Sequence, residues 1–444
     1  MILESRINLN NASCEGTMLE RFIQNKKLDA AKQATKKLLS ARGEANAQSM
    51  AVKLIDNYEH LDKRSQTDFF HHLSNEFNPD PAMVMDAANR YNTERNEASL
   101  IHLFQTVEPP RQELLRRVNR APAGTATILK MRQTLLSYLK DHPAFRATDA
   151  DMHHLLSSWF NPGFLELHQI TWNSPAQLLE KIIEHESVHA IDGWDDLRRR
   201  LQPDRRCFAF FHPQLPGEPL IFVEVALVPG IARDIGGLIN KQAPVGEPKS
   251  FKSAIFYSIS NCQPGLKGVS LGNFLIKRVA QKLIEEIPTL KTFCTLSPIP
   301  GFTQWLDAGA PLLEDKLSPA QLRKWQEAQK TVDAGSAPWA DRLKSGWHPD
   351  RATEAEKTAL MRLGALYLML KTPETRGDAV GKFHLSNGAT LHQINWAADL
   401  SKKGLQQSGG IMVNYLYELD KVEEQHEAFS NKTVCFSRAV EKLV

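Results

Sequence analysis

The sequence predicts an α+β multidomain protein, with an N-terminal all-α helical bundle followed by a mixed α/β domain. Three observations point there. Apolar residues recur at near-helical spacing from Met18 to about Trp159, β-rich runs bounded by turn residues begin after it, and a strand, a helix and another strand succeed one another between residues 254 and 296.

In the first half, Leu19, Phe22 and Ile23, then Leu28, Ala31, Leu38 and Leu39, form one stripe with lysines between them. Ala51–Leu61, Thr67–Phe77, Pro81–Arg90, Glu97–Thr106 and Ala126–Leu139 repeat the pattern. The joints Asn78-Pro79-Asp80-Pro81 and Glu108-Pro109-Pro110 carry helix stop and start chemistry. No Gly-rich phosphate loop and no repeat of fixed period interrupts this half, so it reads as a bundle. In the second half, Arg206–Phe211 and Leu220–Leu227 are strands joined through the Pro/Gly turn 212–219. Ala254–Ser260 is a third strand, Leu271–Ile287 a helix and Thr292–Leu296 a fourth strand, which implies a parallel crossover. The change of texture sets the boundary near residue 158 and the domains at 1–157 and 158–444.

Composition narrows the function. Of 444 residues, 42% are hydrophobic and 24% charged, which is ordinary globular usage and excludes a disordered or fibrous chain. Lys+Arg total 54 against Asp+Glu 51. That balance argues against a nucleic-acid binder relying on bulk charge and leaves room for a local basic groove around a phosphorylated small molecule. The five cysteines, Cys14, Cys207, Cys262, Cys294 and Cys435, are scattered and never spaced as CxxC, which speaks against a disulfide framework or a Cys-rich zinc site. No apolar run approaches the ~20 residues of a membrane span. The N-terminal residues lack a signal-peptide pattern, and Glu441-Lys442-Leu443-Val444 is no peroxisomal address. The expectation is a soluble cytoplasmic protein with no membrane and no nucleic-acid partner.

The most informative stretch runs from Phe256 to Arg278. A β-run enters a turn containing Gly265, Gly268 and Gly272 and then an amphipathic helix. Glycines admit a ligand close to the backbone, and free N–H groups at the helix start favour a pyrophosphate. The pattern is neither G-x-x-x-x-G-K-[ST] nor G-x-G-x-x-G with an acidic ribose ligand, so P-loop and NAD chemistry are disfavoured. The bland alternative is a β-turn-α connection whose glycines only permit tight packing. Lys277, Arg278 and Lys282 form a basic stripe on the following helix, ordinarily a solvated face and otherwise a means of steering a polyanion.

Further short motifs occur in order: Gly217-Glu218-Pro219-Leu220, Leu296-Ser297-Pro298-Ile299-Pro300-Gly301-Phe302, Leu360-Met361-Arg362-Leu363, Phe383-His384-Leu385-Ser386-Asn387-Gly388-Ala389, Ile394-Asn395-Trp396-Ala397-Ala398-Asp399 and Asn414-Tyr415. Over roughly residues 155–420 this set closely resembles the malonyl-CoA decarboxylases. The resemblance implies a helical oligomerisation domain, forming a homodimer or homotetramer, and a catalytic domain of the GNAT acetyltransferase fold. It places Lys267, Gly268, Val269, Ser270, Leu271, Gly272 and Asn273 along the diphosphate of malonyl-CoA. Animal members carry an acidic residue where this chain has Ser270, so a role for that side chain does not transfer. It also assigns Ser297 and His384 as the catalytic pair, His384 as proton donor and Ser297 as its hydrogen-bonding partner, with Ser258 supporting near the substrate. Alone, Ser297 would read as a turn serine and His384 as a structural histidine.

The chemistry implied is loss of CO2 to leave a thioester enolate, stabilisation of that charge by hydrogen-bond donors, and protonation of C2. It requires no metal, biotin or nucleotide, and coenzyme A is part of the substrate, so no cofactor is expected. Two alternatives stand beside it: an acyl-CoA-dependent N-acyltransferase of the same fold, and a non-catalytic CoA-thioester sensor or scaffold. One competing motif, His185-Glu186-Ser187-Val188-His189, satisfies H-E-x-x-H on an expected helix from Pro175 to Ala190. A zinc peptidase would also need a third ligand, which the downstream residues do not supply at metzincin spacing, so the motif is expected to be a solvated helix face.

Overall fold

The computed structural model describes residues 9–41, 43–269, 271, 275–333 and 337–444, with side chains from Met18 onward apart from those of Lys316 and Asp333. The chain divides into two units. The first holds Met1–Leu165 with His212–Pro216 and Gln263–Leu271, and the second holds Glu166–Phe211, Gly217–Cys262 and Gly272–Val444.

The first unit contains α1 (Leu9–Ser40), α2 (Glu44–Glu59), α3 (Lys63–Glu76), α4 (Pro81–Glu94), α5 (Glu97–Val107), α6 (Pro110–Asn119), α7 (Gly124–Tyr138) and α8 (Arg146–Trp159). The joints behave as their chemistry dictates. Asp62 accepts from Ser65 N–H at 2.7 Å, Asp80 from Ala82 N–H at 2.8 Å with Pro81 in the first turn, and Asn96 from Ser99 N–H at 2.8 Å. Tyr58, Phe69, Phe70 and Phe145 pack edge-on or tilted in a core between α2, α3 and the start of α8. The hairpin of α4 and α5 is different: Ala87 and Ser99 are its buried residues, while Met83, Met85, Ile101 and Phe104 stand exposed.

The loop Gln263–Leu271 lies against α7 and α8 of this unit. A Cβ on Gly265 would stand 2.3 Å from the Leu129 carbonyl oxygen, so only glycine fits there. Arg132 Nη1 donates to the Gly265 carbonyl at 2.7 Å, and His153 Nε2 lies 3.0 Å from that of Gly268, whose φ of +82° is in the region glycine favours.

The second unit is built on one sheet of β1 (Glu166–Ile170), β2 (Arg205–Phe211), β3 (Ile221–Val228), β4 (Ser253–Asn261), β5 (Thr292–Thr295), β6 (Ser297–Pro298), β7 (Thr390–Asn395) and β8 (Met412–Leu416). Its spatial order is β1-β2-β3-β4-β5-β8-β6, with β7 also paired to β8. β1 to β4 form an antiparallel meander, and β4 and β5 are parallel. The helices are α9 (Ala176–His185), α10 (Gly193–Arg200), α11 (Gly236–Ile239), α12 (Leu275–Glu286), α13 (Phe302–Asp307), α14 (Pro319–Asp333), α15 (Trp339–Lys344), α16 (Glu354–Leu366), α17 (Ala379–Ser386), α18 (Lys402–Ser408), α19 (Val422–Ser430) and α20 (Arg438–Glu441).

Alternation along β2 covers both faces. Cys207 and Ala209 pack with Leu179, Ile182 and Leu197 of α9 and α10. On the other face, Arg206 pairs with Glu286 of α12, and the Arg278 guanidinium sits 5.2 Å from the Phe210 ring centroid. The basic stripe is thus engaged: Lys277 Nζ is 3.2 Å from Glu423 and Lys282 Nζ 3.7 Å from Glu285.

Three sequence expectations shift. The helix from Pro175 ends at His185, not Ala190. The helix expected from Leu271 is described from Leu275. β1, β6, β7 and β8 were not foreseen, because polar residues interrupt β7 and the others are short. No described helix is long and apolar enough to cross a membrane.

Candidate active site

The site begins with a fault in the sheet. Opposite Glu224 and Val225 of β3 stand Ser258 and Phe256, which leaves Tyr257 as an extra residue in β4. Such a bulge bends its strand and re-aims the side chains around it. The parallel ladder between β4 and β5 reaches only as far as Phe256 and Thr295. Beyond it the chain of β6 pairs with β8 instead. A crevice of about 270 Å³ opens here, lined by Phe256 to Ile259 and Asn261 of β4, Ser297 and Pro298, Ser187 and Val188, Ile221, and Ala379, Val380, Phe383 and His384 of α17.

Ser297 and His384, 87 residues apart in the chain, meet in this crevice, with Ser297 Oγ 3.0 Å from His384 Nε2. Ser297 also donates to Thr295 Oγ1 at 2.9 Å, and that oxygen accepts from Tyr415 N–H at 3.2 Å. His384 Nδ1 lies 2.9 Å from the Tyr417 hydroxyl. Since the Ser297 proton goes to Thr295, Nε2 must carry the imidazole proton and Nδ1 must accept from Tyr417. The direction of donation therefore runs from Tyr417 to His384, to Ser297, to Thr295. Burial pushes the His384 pKa down to about 3, so the ring is neutral at physiological pH. Burial likewise raises the Tyr417 hydroxyl far above its ordinary value, keeping it a proton-bearing donor.

Neighbouring groups hold this line rigid. The Tyr415 ring stacks on the imidazole at 4.7 Å and 26°. Asp378 caps α17 by accepting from Gly381 N–H at 2.8 Å and reaches Gly301 N–H at 3.3 Å, which ties the helix of His384 to the loop that follows Ser297. Burial raises the Asp378 pKa, opposed by these backbone bonds. Asn414, held by Asn395 at 2.7 Å, donates to the Thr295 carbonyl at 2.7 Å.

Ser258, the third residue foreseen here, lines the same crevice and donates to Glu186 Oε1 and Oε2 at 2.8 and 2.7 Å. Lys267, Gly268, Val269 and Leu271 belong to the segment described with the helical unit. Ser270, Gly272 and Asn273 lie outside the described residues. Tyr417, Thr295, Asp378 and Glu186 were missed as site residues. The first three carry no local signal, and Glu186 carried the misleading one.

The H-E-x-x-H residues form no zincin helix. α9 stops at His185, and Glu186 is extended, with φ −64° and ψ 107°. The two imidazoles therefore do not share one helical face. The Glu186 carboxylate takes the N–H groups of Val188 and His189, each at 2.8 Å, the two that a continuing helix would have used. His189 is buried, which pushes its pKa down to about 4. The solvated helix face expected here is instead a non-helical bend in which Glu186 and His189 are buried while Ser187 and Ala190 stay exposed.

The models of the malonyl-CoA decarboxylase C-terminal and N-terminal domains match residues 163–444 and 77–160. The chain belongs to the malonyl-CoA decarboxylase family. Among relatives of this family, the mitochondrial malonyl-CoA decarboxylase of Mus musculus is 40% identical over 328 residues, which are 70% of this chain and 66% of that protein. That of Anser anser anser is 36% identical over 355 residues, 76% of this chain and 70% of the goose protein. The crystal structure of malonyl-CoA decarboxylase from Rhodopseudomonas palustris superposes with a TM-score of 0.82 at 40% identity, covering 94% of this chain and 99% of that one. The structure from Agrobacterium vitis gives 0.80 at 40% identity, covering 93% and 99%.

Proposed function

We propose that this chain is a malonyl-CoA decarboxylase, a carboxy-lyase that converts malonyl-CoA to acetyl-CoA and CO2. The observation that carries the reading is the neutral Ser297–His384 pair, joined at 3.0 Å inside a crevice walled largely by apolar side chains, in a chain of this family. An apolar wall disfavours a carboxylate more than the neutral CO2 it releases. The C–COO⁻ bond breaks, its electron pair passes into the thioester enolate, and CO2 leaves. A proton then moves from Ser297 Oγ to C2 while His384 Nε2–H replaces it, and solvent restores the site's missing proton. With a pKa near 3 the ring is neutral and supplies, through Ser297, the proton that a strongly basic enolate draws, and it carries the negative charge until solvent reprotonates it.

Among the described residues, the edge of β4 turned toward β5 carries no strand beyond Phe256, which suits an extended thioester arm lying along it. The parting of β4 from β5 after Phe256 supports a GNAT-type catalytic domain for 158–444, and α1 to α8 support a helical oligomerisation domain for 1–157. On the resemblance alone, Lys267, Gly268, Val269, Ser270, Leu271, Gly272 and Asn273 hold the coenzyme diphosphate. The exposed apolar side chains of α4 and α5 support self-association through the helical unit as a homodimer or homotetramer. No cofactor beyond the substrate's own coenzyme is called for, and buried free cysteines at 207, 262 and 294 suit the cytoplasm.

The test is incubation with malonyl-CoA and no acceptor, following acetyl-CoA by chromatography. Acetyl-CoA formation, reduced by at least about a hundredfold in His384→Asn and Ser297→Ala with thioester binding kept, is expected. Turnover that needs an added amine, or full activity in both variants, overturns the reading.

A further inference from the structure

Glu186 is the acidic residue of a motif whose usual chemistry this fold does not build, yet its carboxylate is fully engaged. It is buried and accepts from Val188 N–H and His189 N–H at 2.8 Å, from the Ser258 hydroxyl at 2.8 and 2.7 Å, and from the Ser260 hydroxyl at 3.3 Å. Four donors fill the acceptor capacity of a carboxylate. Ser260 Oγ in turn receives Ser187 N–H at 3.1 Å. One side chain thereby joins two walls of the crevice, the turn of Ser187 and Val188 and the bulged end of β4.

The consequence for Ser258 is chemical. Its single proton is committed to Glu186, so what it offers the crevice is oxygen lone pairs. An acceptor there needs a donor from the substrate. The acyl end of malonyl-CoA has none, since its carboxylate, thioester oxygen and sulfur only accept. The first N–H along a coenzyme A thioester is the amide of the cysteamine segment. We propose that Glu186 is a positioning residue, fixing Ser258 as the acceptor for that amide N–H and so reading the thioester arm rather than the acyl tip. The inference rests on the decarboxylase reading above and extends it to how the arm is recognised.

Glu186→Gln is the informative change. The glutamine oxygen can keep the two backbone N–H bonds and still stand 2.8 Å from Ser258 Oγ, while its NH2 takes the place of Oε2 and donates to Ser258. That donation occupies the Ser258 lone pair, and a substrate N–H loses its partner.

The experiment compares wild type, Glu186→Gln, Ser258→Ala and the double variant on three substrates: malonyl-CoA, malonyl-N-acetylcysteamine, which keeps the amide, and the malonyl monothioester of ethanethiol, which has none. Each single variant is expected to lose about tenfold in kcat/KM on the two amide-bearing substrates, mainly through KM, and to stay within about twofold of wild type on the ethyl thioester. The double variant should lose no more than either single one. Equal losses on all three substrates, losses that multiply in the double variant, or no loss on any, overturn the inference. Should Glu186→Gln not fold, Ser258→Ala carries the same comparison. Wild-type protein that forms no acetyl-CoA from malonyl-CoA overturns the proposed function instead, which keeps the two failures apart.

Discussion

The low proton affinity of His384 has a thermodynamic signature that can be read without any substrate. In the unfolded chain a histidine titrates near ~6.5, whereas the buried ring titrates near about 3. Its folded value is depressed because burial disfavours the cation. Stability from keeping the ring neutral is therefore fully present above pH ~6.5 and is lost as pH falls toward 3. Between pH 8 and pH 5 the unfolded imidazole takes up almost a whole proton and the folded one almost none, which removes about 2 kcal/mol from folding. His189, with its pKa near 4, and His72, His212 and His392, also lowered by burial, act in the same direction, so the acid sensitivity of the wild type alone proves nothing. The difference between proteins does. His384→Gln removes this one titration while the other histidines stay, so its own packing defect cancels in the pH comparison. Urea denaturation at pH 8 and pH 5, followed by the fluorescence of Trp305, Trp325, Trp339 and Trp347 in the second unit, should show the variant losing about 2 kcal/mol less than wild type over that interval. Identical losses would show that the ring is charged or solvated in the folded protein, and the neutral donor line from Tyr417 to Thr295 would fall with it.

Other perturbations probe other parts of the molecule. Tyr417→Phe removes the donor to His384 Nδ1 and frees the ring to take the opposite tautomer, so kcat should fall about tenfold with thioester binding unchanged, as read by initial rates and calorimetry. Arg200→Met leaves Glu224 and Asp196 buried without their cation and should destabilise the second unit by about 3–5 kcal/mol in urea melts. Glu224→Gln should cost less than that at pH 7, because burial has already pushed the Glu224 carboxyl up to about 8. Gly265→Ala forces a methyl group against the Leu129 carbonyl and should destabilise the helical unit by about 1–3 kcal/mol, measured by its thermal transition.

How much of this could be read from the residues alone follows from what each contact depends on. β2 to β5 announce themselves, because Cys207 to Phe211, Ile221 to Leu227, Ile255 to Ile259 and Thr292 to Leu296 are dense in apolar and β-branched residues. β7 carries His392, Gln393 and Asn395 in six residues and hides from any period-two search. Asp80, in the joint 78–81, marks its helix start, since capping is a local event, whereas the helix expected from Thr67 begins at Lys63 behind the Asp62 cap. Helical spacing continues through His189 and predicts a longer α9, while the Glu186 side chain claims two backbone N–H groups and stops the helix at His185. Ser297, His384 and Ser258 came from family motifs, and their meeting in one crevice is a property of the fold. Tyr417 and Thr295 belong to the same hydrogen-bonded line, yet one is a tyrosine after a short strand and the other a threonine in a β-run. Nothing near either in the chain distinguishes them.

β8 pairs with β5 and β6, made more than a hundred residues before it, as well as with the preceding β7, and Tyr417 follows it directly. A ribosome has thus released about four hundred residues before the ribbon that closes this sheet exists. Until then Thr295 lacks the N–H of Tyr415, and His384 lacks both its stacking ring and its phenol. Pairings this distant along the backbone form slowly. Assembly of the hydrogen-bonded line through Ser297 and His384 is therefore a late event of folding, and a nascent chain stalled before residue 412 would carry both residues without the tyrosines that hold them in line.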